Sequence, residues 1–236
     1  MTLNQQIEQW LQTNKQTFRS ITRPFVTLCY AQSLDGSIAI NSGAALALSG
    51  PDSTCLTHQL RSLHDGILVG ISTVLTDNPQ LSVREWSGPS PQPIVLDSHL
   101  RMPASARLAQ NNHKRCWVLT TANENSGDEG PEILSVQSND EGRVCLTSAL
   151  QLLHQKGIRS LMVEGGANVI TAFLKMQLAD ALVLTVAPRL VGGYKAVSDL
   201  GNCPAQQFPE LAPLFTAKSG DDLIIWGNLN YGGERL

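Results

Sequence analysis

Leu161 to Leu174 reads Leu-Met-Val-Glu-Gly-Gly-Ala-Asn-Val-Ile-Thr-Ala-Phe-Leu, and it holds the residue types best suited to chemistry. Glu164 carries a carboxylate that can orient a ligand hydroxyl or exchange a proton. The pair Gly165-Gly166 follows at once, and glycine lets a ligand approach the backbone where a Cβ would block it. Val169, Ile170, Phe173 and Leu174 then recur at helical spacing. A strand that passes through glycines into a helix leaves backbone N–H groups without helical partners. Those groups, with the positive end of the helix dipole, suit a phosphate or another anion. The same residues also fit a tight strand–helix turn with a solvated Glu164, so this stretch alone leaves both readings open.

The elements that must position these residues alternate. An N-terminal helix over Gln5 to Gln16 and a connector ending at Arg23-Pro24 fill residues 1–22; residues 23–236 form one domain. Strands are predicted at Phe25 to Ala31, Ser37 to Ile40, Gly66 to Ile71, Ile94 to Leu96 and Trp117 to Thr120. Later ones are predicted around Arg143 to Leu146, at Leu161 to Val163, Ala181 to Ala187 and Leu223 to Trp226. Helices are predicted from Pro51 to about His64, from Ser148 to Lys156 and after Gly166, with a helical turn at Thr73 to Leu75 ended by Pro79. Residues 194–221 read as irregular. Strands alternating with helices give an α/β domain with a mostly parallel central sheet and flanking helices, and the late strands without a helix between them give an antiparallel edge.

Composition narrows the function. A chain of 236 residues with 42% hydrophobic and 16% charged residues can bury a large core. The net charge of −3 argues against a nucleic-acid binder. No apolar run approaches the roughly 20 residues that span a bilayer, and Met1 to Arg19 lacks the apolar segment of a signal peptide. The five cysteines are scattered and never form C-x-x-C, which points to reduced thiols, a cytoplasmic protein and no zinc site. Neither G-x-G-x-x-G nor a P-loop occurs, nor G-x-S-x-G, nor the zinc deaminase signature.

What remains are four polar clusters at the carboxyl ends of predicted strands: Ser33 to Gly36, Gly70 to Asp77, Asp97-Ser98, and Glu164 to Gly166. Singly they read as turns and caps; together they would surround one crevice. At these residues the chain resembles the reductase domain of riboflavin biosynthesis, whose fold is dihydrofolate-reductase-like. The matching pieces are Ala31-Gln-Ser-Leu-Asp-Gly36, Gly66-Ile-Leu-Val-Gly-Ile-Ser-Thr-Val-Leu-Thr-Asp-Asn-Pro79, Pro93-Ile-Val-Leu-Asp-Ser98, Val163-Glu-Gly-Gly-Ala-Asn168 and Ala187-Pro-Arg-Leu-Val-Gly192, in the family's order.

The resemblance implies an NADPH-dependent reductase that turns the ribosylamino group of a ribosylaminopyrimidine 5′-phosphate into a ribitylamino group. It implies that Thr73, Asp77, Ala31, Ser98 and the backbone of Gly165, Gly166, Ala167, Asn168 and Val169 meet the cofactor. It places Arg61, Leu81 and Arg84 at the substrate, Glu164 facing the ribose, and the chain in a homodimer. Two arginines can grip a sugar phosphate in a fixed fork geometry, and Arg61 with Arg84 would form that pair. Bacterial members usually carry Lys at the position of Cys29, and a Ser and a Trp at those of Ala45 and Ala47; these departures bear on substrate geometry. Residues 1–22 are too short for the deaminase domain of bifunctional members, so a stand-alone reductase is expected, and the order of reduction and deamination is left open.

Overall fold

The computed structural model describes residues 1–111, 114–124, 127, 129–201 and 208–232. Among them, a nine-stranded sheet runs in the order β10-β11-β8-β1-β7-β3-β4-β5-β6. Its strands are β1 (Phe25–Ser33), β3 (Gly66–Gly70), β4 (Gln92–Leu96), β5 (Trp117–Thr120), β6 (Glu132–Ser135), β7 (Ser160–Val163), β8 (Ala181–Ala187), β10 (Glu210–Ser219) and β11 (Asp222–Asn230). From β8 across to β6 every neighbour is parallel, whereas β11 lies antiparallel to β8, and β10 to β11. The expected α/β class, with its mostly parallel sheet and antiparallel edge, is the one observed.

Alternation along the central strands feeds two apolar layers. Val26, Leu28, Leu68, Leu161 and Val163 pack on one face with α4 (Leu146–Gln155) and α5 (Ala167–Lys175). Phe25, Cys29 and Met162 pack on the other with α1 (Leu3–Thr17) and α2 (Pro51–Ser62). Ile7 and Leu11 of α1 are fully buried there, so the N-terminal helix is part of the main core. The helix α3 (Ile71–Asp77) covers the rest of that face with Val69, Val95 and Val118.

This wiring creates the crevice. The connection from β3 to β4 runs through α3 on one face of the sheet, and that from β7 back to β8 runs through α5 on the other. The chain therefore leaves the carboxyl ends of β3 and β7 in opposite directions, and open α/β sheets bind ligands in the gap such a divergence leaves.

Two sequence expectations are corrected. Residues 143–146 form no sheet strand; Val144 makes one isolated bridge to Ser138, and Leu146 already opens α4. The apolar run there is buried by the turn into the helix instead. The edge strand nearby is β6, whose half-exposed residues carry no clear apolar pattern. Nor are the described residues of 194–221 irregular throughout: β9 (Tyr194–Lys195) pairs with β2 (Ser37–Ala39), and β10 spans ten residues, while 202–207 lie outside the described residues. β10 is mostly exposed, so its alternation is weak, and Pro213 sits where the register shifts between Leu211 and Leu214. An edge strand tolerates proline at such a bulge. Cys203 lies outside the described residues; the other four cysteines are free thiols.

One buried histidine ties stability to pH. His64 lies at the end of α2, its Nδ1 2.7 Å from the Leu60 carbonyl oxygen and its Nε2 2.9 Å from Thr27 Oγ1. Burial, reinforced by the Lys15 charge, pushes it down to about 3 from an ordinary 6.5. Between those values the unfolded chain takes up a proton that the folded chain refuses. The stabilisation is complete above pH 6.5 and is lost as pH falls toward 3, at up to ~1.4 kcal/mol per pH unit. Urea midpoints of the wild type and of His64→Gln, compared from pH 7.5 to pH 4.5, are expected to converge as the pH drops. Parallel curves would remove His64 as the source.

Candidate active site

Three cavities lie side by side along the carboxyl rim of the sheet. The first, at the ends of β8, β1 and β7, is about 300 Å3 and is lined by Cys29, Tyr30, Ala31, Asp77, Glu164 and Thr185 among others. The second, about 200 Å3, lies against Thr73, Asp77, Gly166, Ala167, Asn168 and Val169. Beyond the α5 N-terminus, over the end of β4, is the third, about 510 Å3, which includes Ser98, Arg101 and Arg143. Asp77 borders the first and second cavities, and Gly70, Ser72, Asn168 and Val169 border the second and third.

Glu164 closes β7, and its backbone N–H donates to the Leu68 carbonyl at 3.0 Å, which fixes its place between β1 and β3. Its two carboxylate oxygens accept from Arg61 Nε and Nη2, both at 2.7 Å. Arg61 comes from the last turn of α2, and its Nη1 donates to the Ser82 carbonyl at 3.1 Å. Burial disfavours the guanidinium charge, but the Glu164 carboxylate outweighs this and raises the Arg61 pKa. Arg61 thus uses three of its five N–H groups within the protein and keeps one on each Nη. A carboxylate has about four lone-pair sites, so Glu164 keeps acceptor capacity toward its cavity.

Two of the neighbouring side chains, Cys29 and Tyr30, are uncharged at neutral pH. Burial, with Glu164 beside it, pushes the Cys29 thiol well up, and burial pushes the Tyr30 phenol up to about 12. Asp77, at the end of α3, makes no hydrogen bond or ion pair with the described residues, and partial desolvation raises its pKa.

At the α5 N-terminus the cap is Gly166, with no side-chain cap and no acidic residue in the first turn. The N–H groups of Ala167 and Asn168 have no partner among the described residues, while those of Val169 and Ile170 reach the Gly166 carbonyl at 3.0 and 3.1 Å. A Cβ on Gly165 would lie 2.5 Å from Val169 Cβ, and one on Gly70 would lie 2.9 Å from Val169 Cγ2. Glycine is thus required here by the close approach of helix and strands. Open N–H groups over a side-chain-free floor fit the phosphates of a dinucleotide.

The other predicted residues separate. Ser98 lines the third cavity, and its Oγ accepts from the Val144 N–H at 3.0 Å, pinning the loop before α4 to the end of β4. Leu81, with φ of +55°, turns its side chain into the core and is 3% exposed. Arg84 is exposed; its backbone N–H donates to His58 Nδ1 at 2.9 Å. Asp35 lines none of the three cavities. Its carboxylate accepts from Ser33, Ser37, Val191, Gly192 and Lys195, and that ring, led by Lys195, holds it well below the usual carboxylate range. Ser33 to Gly36 is therefore a joint that ties β1 to the β2–β9 ribbon. Thr57 and Thr185 reach the first cavity without having been singled out; Thr185, a hydroxyl in an otherwise apolar strand, was the available signal.

Comparison with known proteins bears on these features directly. Residues 24–225 match the model of the RibD C-terminal domain. The chain belongs to that family. It is 36% identical over 183 residues to a 2,5-diamino-6-ribosylamino-4(3H)-pyrimidinone 5′-phosphate reductase of Archaeoglobus fulgidus, covering 72% of this chain and 83% of that one. It is 32% identical over 222 residues to the riboflavin biosynthesis protein RibD of Aquifex aeolicus, covering 93% of this chain but only 62% of that longer protein. The solved structure of the Saccharomyces cerevisiae riboflavin biosynthesis reductase Rib7 superposes with a TM-score of 0.77 at 31% identity, covering 95% of this chain and 99% of that one. The family read from the ordered strand-end motifs is borne out.

Proposed function

We propose that this chain is an NADPH-dependent reductase that converts the ribosylamino group of a ribosylaminopyrimidine 5′-phosphate to ribitylamino, in riboflavin biosynthesis. The observation that carries the reading is the placement of Glu164 in a cavity that shares Asp77 with the phosphate cradle of α5. Bound NADPH supplies a hydride for the ribose C1′, while the C1′–O4′ bond opens and O4′ takes a proton. Ala167 and Asn168 donate N–H bonds to the cofactor phosphates, with Gly165, Gly166 and Val169 shaping the floor and Thr73, Asp77, Ala31 and Ser98 along its length. Glu164, held by Arg61, accepts from a ribose hydroxyl and fixes the sugar. Arg84 and the Leu81 backbone face the substrate from outside the crevice. Fixing reactants in this way can contribute roughly 7–11 kcal/mol to barrier lowering.

The deciding experiment is NADPH consumption by purified protein, given separately the deaminated and the non-deaminated ribosylaminopyrimidine phosphate. Oxidation with one of them supports the reading and gives the order of reduction and deamination. No oxidation with either, at saturating NADPH, would sink it. Cys29 and Ala45 line the first two cavities, and they favour the second reading, the same chemistry on another pteridine- or pyrimidine-like substrate.

Gly165→Ala tests the cradle. The clash with Val169 must shift the first turn of α5, and overpacking of this kind costs about 1–3 kcal/mol. NADPH binding is expected to weaken about tenfold or more, since ~1.4 kcal/mol is a factor of ten. An unchanged dissociation constant by titration calorimetry would place the phosphates elsewhere.

The protein is further proposed to act in the cytoplasm as a homodimer. Among the described residues no helix is long and apolar enough to cross a membrane. The edge strand β10 is open, and Leu214, Phe215 and Leu223 are exposed on the β10–β11 ribbon. Open edges of this type pair with another chain. Light scattering that gives the mass of one chain at micromolar concentration would remove the dimer.

A further inference from the structure

One face of α2 holds the loop between α3 and β4. Cys55 donates its thiol to the Glu85 carbonyl at 3.3 Å, His58 Nδ1 accepts from the Arg84 N–H at 2.9 Å, and Arg61 Nη1 donates to the Ser82 carbonyl at 3.1 Å. Steps of three residues keep these side chains on one side of the helix. Residues 82–85 belong to no helix or strand, so these bonds fix where the segment lies. Of the three, the His58 bond is the one that a proton can remove near neutral pH.

His58 is 2% exposed. A backbone N–H can only donate, so Nδ1 is unprotonated and the ring is neutral, with its proton on Nε2. Burial lowers its pKa from 6.5, and the charges of Arg61 and Arg84 act in the same direction, while Glu85 and Glu164 oppose them. The Arg84 guanidinium is held by the same short segment. Its Nη1 donates to Ser82 Oγ at 3.1 Å and meets the Ser82 carbonyl at 3.5 Å, the oxygen that Arg61 Nη1 also reaches. Two guanidinium groups thus converge on one backbone oxygen, and the backbone of one of them hangs on His58.

We propose that His58 is a positioning residue: by accepting from the Arg84 N–H it holds Arg84 beside Arg61, and it couples substrate affinity, not NADPH affinity, to the protonation of its ring. The assignment rests on the reductase reading above, which puts Arg84 at the substrate, and adds the residue that sets it there. A proton on Nδ1 removes the acceptor and turns an N–H toward the Arg84 N–H. It also adds a third positive charge beside Arg61 and Arg84. The segment is therefore released as the pH falls below the ordinary imidazole value of 6.5. None of the bonds from α2 to this loop involves the Gly165–Val169 turn, so the cofactor cradle stays as it is.

The test compares three proteins. In His58→Asn the amide oxygen can stand where Nδ1 stands but takes up no proton; in His58→Leu the space is filled without an acceptor. The substrate is the ribosylaminopyrimidine phosphate that supports NADPH oxidation. At pH 8 His58→Leu is expected to raise its KM about tenfold, with kcat and the NADPH dissociation constant little changed, the pattern of lost uniform binding. His58→Asn is expected to keep the wild-type KM at that pH. The substrate phosphate itself takes up a proton near about pH 6, equally for both proteins, so the ratio of the wild-type KM to that of His58→Asn isolates the ring. That ratio is expected to climb severalfold between pH 8 and pH 5.5. An unchanged KM in His58→Leu, a ratio that stays flat, or a His58→Asn variant as impaired as His58→Leu at pH 8 would overturn the assignment and leave the reductase standing. Should His58→Leu melt too low to assay, the pH course of the ratio decides alone. A wild type that oxidises no NADPH with either pyrimidine would overturn both.

Discussion

Glu164→Gln is expected to lower kcat by about 10²–10⁴-fold, the range for loss of a positioned acid–base group, while the dissociation constant for NADPH changes little. The amide keeps the shape of the side chain but replaces one acceptor oxygen with a donor. It can no longer accept from both Arg61 nitrogens, which now bond it at 2.7 Å each, nor present a full negative charge to a ribose hydroxyl. The cofactor cradle is built from the backbone of the following residues and does not need the carboxylate. Steady-state kinetics with calorimetric titration of NADPH separates the two effects. Full turnover in the variant would reduce Glu164 to a structural partner of Arg61.

Arg61→Met is expected to destabilise the fold and to abolish most activity, and the two losses separate in a double variant. The Arg61 and Glu164 side chains are 12% and 17% exposed, so the pair is largely removed from water. Breaking such a pair from one side strands the other charge, at a cost of about 3–5 kcal/mol when burial is complete. With the residual exposure, ~3 kcal/mol is the expected loss, or a fall in Tm of about 6–12 °C for a domain of this size. Arg61→Met/Glu164→Met removes both charges and is expected to recover much of the Tm while remaining inactive. A single variant that melts like the wild type would show that the pair contributes nothing to stability. A double variant that melts no higher than the single one would show that the stranded charge is not the cause.

Much of this protein was legible in its sequence because the informative residues obey local rules. β5 and β8 fall at the expected bounds, and α5 starts at the end of the glycine pair. Their apolar residues have periods that match one buried face, and glycine was read correctly as a close approach: a side chain at Gly165 would strike Val169. β10 and β6 escaped because an edge strand exposed on both faces has no apolar period to read. Arg143 to Leu146 misled for the opposite reason, since a short apolar run looks the same whether a sheet or a helix entry buries it.

The family, the alternation of strands and helices, and the glycine turn before α5 could be read from the sequence, because each depends on residues close together in the chain. Which side chains meet was set by the fold. Arg61 and Glu164 are 103 residues apart, and nothing in their spacing says that the arginine holds the carboxylate. The left-handed backbone at Leu81, which turns its side chain into the core, has no signal in the chain around it. Asp35 looked like part of the crevice until five donors from two segments closed around it. Side-chain charges act through space over a few ångströms, so which of them meet is settled by the crossing of the connections and not by their order along the chain.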